Sequence, residues 1–346
     1  MASSSSSSSK PMHGFRFAEL NLRHMGNKKN TIDLVNRAIR MGYDAIAINI
    51  DVGDPFVDRI QQTLEDEEVV PKKKRKQQKR IQNEEELDIF PTPFKVNISD
   101  LNPVDLKRLE SEGKVFRQFS RVTLTLSDST SMYKMMTHPK IKLFDLVAIR
   151  ISDVDFLTTL ARKGDVVDIV TFDPCDAQRQ SWMCASKQIQ AVAAEGIAFE
   201  LTYGNALNDS ANRRMFFASS RLLMENTQKG RNVFLSSGAT DIIQIRGPYD
   251  AANMSCLIGL DSYKGIHLVS NIPKNILLRS QARHFTIKGA INVADLEHVP
   301  HRDKTSVEAL KELLKVDEFR KQAENGQEND KGKVKSEIEE VKMEIE

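Results

Sequence analysis

Phe15-Arg16-Phe17-Ala18-Glu19-Leu20-Asn21-Leu22-Arg23 alternates side-chain character along its length, and Ala45-Ile46-Ala47-Ile48-Asn49-Ile50 repeats the pattern in a more apolar, buried form. Between them, Thr31 to Met41 carries Ile32, Val35, Ala38 and Ile39 on one helical face, and Gly42 stands where a left-handed glycine ends a helix. Strand, helix and strand at this separation form a βαβ unit, with parallel strands and a right-handed crossover.

The pattern continues outward from this unit. Strands are expected at Arg121–Leu126, Leu146–Ile151, Val166–Phe172, Ala198–Thr202 and Val233–Ser236, with helices at Met132–His138, Asp155–Arg162, Trp182–Ala194 and Arg213–Thr227. An α/β chain with seven or more such units builds either a closed TIM-like (β/α) barrel or an open doubly wound sheet, and periodicity does not choose between them. The barrel is favoured because no strand leads into a glycine-rich phosphate turn. Polar residues also collect at the strands' C-terminal ends: Asn21, Asn49, Asp51, Asp128, Asp153, Asp173, Thr202 and Ser236. In a TIM-type barrel these positions ring one mouth.

With 346 residues, 40% of them apolar, the chain can fill one large core spanning residues 14–300. Residues 1–13 are a serine-rich leader, 58–92 a charged insertion, and 301–346 a short amphipathic helix, capped by Thr305 and Glu308, followed by a charged tail expected to be mobile. No apolar run is long enough to cross a bilayer, and the leader lacks the apolar core of a signal peptide, so a soluble, non-secreted protein is expected. Cys175, Cys184 and Cys256 match neither a disulfide framework nor a zinc motif and read as core or near-core residues in a reducing compartment. The Asn-x-Ser triplets at Asn97, Asn208 and Asn253 then carry no glycan.

Charge is uneven along the chain. Residues 205–290 hold eleven Lys/Arg against five Asp/Glu, so a total of +2 conceals a local excess of +6. Arg213, Arg214, Arg221, Lys229, Arg231 and Arg246 lie in this stretch, and guanidinium forks suit phosphate oxygens. RNA is favoured over DNA because no groove-reading helix motif is present. The plain alternatives are a solvated helix face, or a protein scaffold whose cations meet acidic partners. Lys72, Lys73, Lys74, Arg75 and Lys76 follow Pro71 in the insertion and suit the acidic groove of a nuclear import receptor; otherwise they are a charge run balanced by acidic neighbours.

The competing enzyme reading is a metal-dependent phosphoesterase that uses the carboxylates at the mouth. Such a site usually needs histidine as well, and only His24 lies near a strand's C-terminal end. His298 and His301, with Asp295, Glu297 and Asp303, are interrupted by Pro300. No metal, cofactor or catalytic residue is therefore expected.

Phe17-Ala18-Glu19-Leu20-Asn21-Leu22-Arg23, Gly42-Tyr43-Asp44-Ala45-Ile46-Ala47-Ile48-Asn49, Ala198-Phe199-Glu200-Leu201, Arg213-Arg214, Lys229-Gly230-Arg231-Asn232-Val233, Ser236-Ser237-Gly238-Ala239 and Ile245-Arg246-Gly247-Pro248-Tyr249-Asp250-Ala251-Ala252-Asn253 together resemble the TIM-barrel-like protein subunit of ribonuclease P, over approximately residues 15–285. The resemblance implies an accessory subunit, shared in eukaryotes with ribonuclease MRP. The first particle removes 5′ leaders from precursor tRNA and the second processes precursor rRNA, and in both the metal ions are held by RNA. It also implies ribonuclease P RNA, ribonuclease MRP RNA and a ferredoxin-like protein subunit as partners, with nuclear and nucleolar residence. The family is similar in fold to the polymerase-and-histidinol-phosphatase class of phosphoesterases, whose first strand reads Asp-Leu-His-x-His with both histidines on metal. Here Asn21 and Arg23 stand at those positions on a shared face, with His24 on the opposite one. An amide is a poor ligand and a guanidinium repels a cation.

Overall fold

Seven strands form one sheet in sequence order, every neighbouring pair parallel: β1 (Ala18–Arg23), β2 (Ala45–Gly53), β3 (Arg117–Leu126), β4 (Leu146–Ile151), β5 (Ile169–Thr171), β6 (Ala198–Thr202) and β7 (Val233–Ser236). The computed structural model describes residues 16–55, 90–126, 129–176 and 180–285. The leader, most of the insertion with Lys72–Lys76, Asp128, the His298–His301 group, the helix expected from Thr305 and the tail lie outside the described residues.

The sheet curls until its first strand meets the segment after its last. Leu22 bridges Ala239 in parallel, the Arg23 N–H donates to the Ala239 carbonyl at 3.0 Å, and the Ala18 N–H donates to Val269 at 3.1 Å. Where β1 and β7 have no ladder of their own, the buried Glu19 carboxylate accepts the Ser237 N–H at 3.1 and 3.0 Å and stitches the seam. The result is the nearly closed (β/α) barrel expected from the sequence.

Helices coat the outside. They are α1 (Lys28–Met41), α2 (Pro103–Ser111), α3 (Ser129–Thr137), α4 (Val154–Lys163), α5 (Ser186–Ala194), α6 (Gly204–Asn208), α7 (Ser210–Asn226), α8 (Pro248–Met254), α9 (Ser262–Gly265) and α10 (Asn271–Phe285). The helix α1 begins at an Asn27 cap and ends at Gly42, whose φ of 105° lets its N–H return to Ala38 and Ile39. Its Leu34, Val35, Ala38 and Ile39 share one buried layer with Ile46, Ile48 and Val122 of the strands. Burying each of the branched side chains among them contributes roughly 1.5–3 kcal/mol, so this layer holds α1 firmly on the barrel.

Three aspartates tie the N-terminal rim. Each stands immediately before a strand and takes backbone N–H groups from the strand before it or its lead-in. Asp44 accepts from Arg16 and Phe17 at 2.7 and 2.8 Å, Asp145 from Ser120 at 2.7 Å, and Asp168 from Val147 at 3.0 Å. Arg283 and Arg279 of α10 reach Asp168 at 2.7 and 3.3 Å and also donate to the carbonyls of Val166 and Val167. The strand β5 is shorter than the expected Val166–Phe172, and the Val166 and Val167 carbonyls ahead of it bond these arginines. The expected helix Trp182–Ala194 is likewise broken into a 3₁₀ turn (Ser181–Cys184) and α5, because Trp182 turns inward between Phe172 and Phe199, with ring centroids at 5.5 and 5.9 Å. Cys175 is half-buried against the core, as expected, whereas Cys184 and Cys256 are exposed, which corrects the expectation of core or near-core positions for those two. The two exposed thiols belong to short 3₁₀ turns, Ser181–Cys184 and Ser255–Ile258, whose buried faces are taken by Trp182 and Met183 in the first and by Ser255 and Ile258 in the second.

Candidate functional site

The barrel interior is polar, and its groups bond one another apart from Arg121 Nε, a buried donor without a partner among the described residues. In β1 a bulge sets two residues, Leu20 and Asn21, opposite one in β2, since Glu19 pairs with Ile46 and Leu22 with Ile48. Asn21 then donates to Glu200 Oε1 at 3.0 Å and accepts from Asn49 Nδ2 at 2.8 Å, while Asn49 accepts from Thr123 at 2.8 Å. Arg121 of β3 donates to Glu200 of β6 through both terminal nitrogens, at 2.7 and 2.5 Å, and to the Leu20 carbonyl at 2.9 Å. Ser236 of β7 adds a 2.6 Å bond to Glu200. Strands three apart in a ring of seven meet only across the interior, so this network fills the lumen.

Arg121 and Glu200 both have side chains 0% exposed. Burial alone would raise the Glu200 carboxyl, but the Arg121 guanidinium and the hydroxyls of Ser236 and Thr171 outweigh it and hold the group at about 2. Glu19, outside the lumen at the β1–β7 seam, has no such counterion. Its carboxyl is raised to about 7 by burial, with Glu200's charge adding to the rise and the N–H groups of Ser237 and Asn21 opposing it.

The residues expected to ring the mouth therefore divide. Asn21, Asn49 and Ser236 are buried in the network, while Asp51 is taken by Arg150 at 2.6 Å. Burial raises the Asp51 carboxyl less than its bonds to Arg150, Arg150's charge and Arg23's charge lower it. Asp173 is exposed beside Asn205, and Asp153 is exposed at the head of α4. Arg23 pairs in register with Asn49, whose amide bonds Asn21, so Asn21 and Arg23 face one side. His24 stacks on Phe94 at 4.3 Å and bonds Thr31 at 2.7 Å, away from that network.

The metal centre implied by phosphoesterases of similar fold does not fit these residues. A cation beside Asn21 would meet Arg23 and Arg121, and Glu200 is already neutralised. Among the described residues no three His, Cys, Asp or Glu side chains converge.

Arg213, Arg214, Arg221, Lys229, Arg231 and Arg246 are all exposed. They do not form one cluster. Arg213 and Arg214 sit on the first turn of α7, Arg213 donating to the Ala206 carbonyl at 3.3 Å. Arg221 lies two turns further on and donates to the Leu257 carbonyl at 3.2 and 3.1 Å, and Lys229 and Arg231 occupy the loop into β7. Arg246 sits apart, its backbone N–H on the Tyr203 hydroxyl at 3.3 Å. Sequence reasoning missed Arg121 and Arg150. Their signal was a cation at an inward register position of a buried strand.

The family described as RNase P subunit p30 matches residues 16–285. Over 295 residues the chain is 27% identical to ribonuclease P protein subunit p30 of Mus musculus, covering 85% of this chain and 95% of that one. It is 26% identical over 179 residues to Protein GAMETOPHYTE DEFECTIVE 1 of Arabidopsis thaliana, covering 51% of this chain but only 30% of that protein. A chain in the cryo-EM structure of archaeal ribonuclease P with mature tRNA is similar at 12% identity and a TM-score of 0.49, covering 80% of this chain and 98% of that one. Since the family match runs along the barrel from β1's lead-in to the end of α10, the chain belongs to the RNase P subunit p30 family.

Proposed function

We propose that the chain is an accessory, non-catalytic protein subunit of ribonuclease P, the particle that removes 5′ leaders from precursor tRNA, and also of ribonuclease MRP. The family match over residues 16–285 carries this reading. The non-catalytic part draws support from the lumen, where a guanidinium and an amide stand in place of imidazole ligands and the Arg121–Glu200 pair takes up the central carboxylate. The exposed cations of α7 and the loop after it are proposed to face ribonuclease P RNA, ribonuclease MRP RNA or a neighbouring subunit, a ferredoxin-like protein among them. Lys72–Lys76 are proposed to direct nuclear import, with residence in the nucleus and nucleolus.

Affinity purification of the full chain followed by sequencing of the bound RNA tests the proposal. Ribonuclease P RNA in the eluate, and accumulation of 5′-extended precursor tRNA on depletion, are the expected results. Reversing Arg213, Arg214 and Arg221 to glutamate should weaken RNA association and flatten its salt dependence. Protein partners without RNA would favour a pure scaffold. Chelator-sensitive cleavage of a transcript by the purified chain alone would overturn the non-catalytic assignment.

A further inference from the structure

The loop between α7 and β7 has an unusual backbone. Gln228, Lys229 and Asn232, at φ of 54°, 63° and 54°, are the only non-glycine residues with positive φ among the described residues, and Gly230 between them has φ 84°. Glycine occupies this left-handed region freely and asparagine tolerates it, but a lysine or glutamine side chain is strained there. Strain of this kind persists only where the surroundings over-determine it, and it clusters at functional positions.

Here every side of the loop is held. The Lys229 N–H donates to Met224 at 2.9 Å and the Arg231 N–H to Thr227 at 2.8 Å. Asn232 donates from its side chain to Ala193 at 2.6 Å and accepts the Phe199 N–H at 2.8 Å. Gly230 packs so tightly that a Cβ there would stand 3.0 Å from Met224 Sδ and 3.4 Å from Leu260. The only groups the loop leaves in solvent with no bond or ion pair among the described residues are the Lys229 and Arg231 side chains. Glu225, one turn earlier and also exposed, pairs with neither. Arg221 joins them through the same support: its Nε and Nη2 are fixed on the Leu257 carbonyl, three residues before the Leu260 that packs on Gly230, and its Nη1 is left for an outside acceptor.

We infer that Arg221, Lys229 and Arg231, set around the Leu257–Leu260 turn, are a preorganised seat for the phosphodiester backbone of RNA, with Lys229 as the point charge and the two arginines as forks. The inference rests on the RNA-binding reading proposed above and narrows it from a helix face to one rigid loop. A rigid loop loses little freedom when it binds, which accounts for a strained lysine where glycine would serve the fold better.

The test uses the full-length chain and ribonuclease P RNA made by transcription, with binding followed by anisotropy across a salt series and folding by thermal unfolding. Lys229→Gly and Lys229→Gln should each weaken binding about five- to tenfold at moderate salt and reduce the salt slope by about one. Only Lys229→Gly should raise the unfolding midpoint, since it alone relieves the left-handed strain. Lys229→Arg should restore binding to within about twofold of the wild type, and Arg231→Gln should match Lys229→Gln. If the wild type binds this RNA and the Lys229 and Arg231 variants bind equally well, the seat is wrong and the broader reading stands. If the wild type itself fails to bind, both fall. Unchanged RNA binding with loss of an acidic protein partner would reassign the loop to a protein contact.

Discussion

Replacing Arg121 by methionine removes the one cation that neutralises Glu200 in the lumen while filling similar space. The carboxyl is held at about 2 against an ordinary 4.5, which at about 1.4 kcal/mol per unit corresponds to about 3 kcal/mol of folding stability. Because the folded value is depressed, that contribution is complete above about pH 4.5 and lost as the pH falls toward 2. Arg121→Met should therefore cost about 3–5 kcal/mol at pH 7, the penalty of a buried charge left alone. It should also reverse the trend, because the unpaired Glu200 would sit above 4.5 and the variant's deficit would shrink on acidification. Arg121→Met/Glu200→Gln keeps an acceptor for Asn21 and Ser236, removes both charges, and should return to within about 1–2 kcal/mol of the wild type. Urea unfolding of the wild type, Arg121→Met, Glu200→Gln and the double variant at pH 7 and pH 5, read as differences from the wild type, supplies the cycle. A single-variant cost below about 1 kcal/mol with no pH reversal would mean that the lumen is wet and the pair is not what holds it.

Glu19 has the opposite sign. Its folded value of about 7 lies above the ordinary 4.5, so stability is greatest below about pH 4.5 and is lost as the pH rises through 7, by up to about 3 kcal/mol. Glu19→Gln retains an oxygen for the Ser237 N–H and should flatten this decline, and an unchanged slope in unfolding free energy against pH would exclude Glu19 as its source. The thiols should also separate. Cys184 and Cys256 are exposed, whereas the half-buried Cys175 thiol is pushed up to about 12 by burial and by the charge of Asp173. Iodoacetamide on the native chain should label the first two well before the third, and equal rates by peptide mass spectrometry would contradict the burial of Cys175.

The parts of the fold legible in the sequence are those decided by neighbours along the chain. The helix α1 announces itself through Ile32, Val35, Ala38 and Ile39 and stops at Gly42, and the strands show either a buried apolar run, as in β2 and β4, or an alternation of apolar outward and polar inward residues, as in β1, β3 and β6. The helix α2 was overlooked although Asn102 followed by Pro103 is a cap and first-turn pair. The helix α10 carries a weaker signal. It contains Pro273, and beside the buried Ile276 and Leu277 it docks through Arg279, Arg283 and Ser280 on the backbone of residues 145–168, contacts that no apolar periodicity announces. Closure itself was expected from the polar strand ends, but the contact that makes the seam was not, since it depends on Glu19 reaching Ser237 across more than two hundred residues.

The lumen could have been anticipated one step further than the mouth was. Arg121 alternates with Val122 on β3 and Glu200 with Leu201 on β6, and in each strand the apolar neighbour belongs to the outer layer that packs on the helices. A cation and a carboxylate were therefore both turned inward in a barrel too narrow to leave them apart. Each isolated charge would cost several kcal/mol, so any barrel with this alternation has to bring them together. On β1, Asn21 and Arg23 stand on one side, and the cation at the centre of the lumen is the Arg121 guanidinium. Glu200, Asn21, Asn49, Thr123 and Ser236 then satisfy one another without any group from outside.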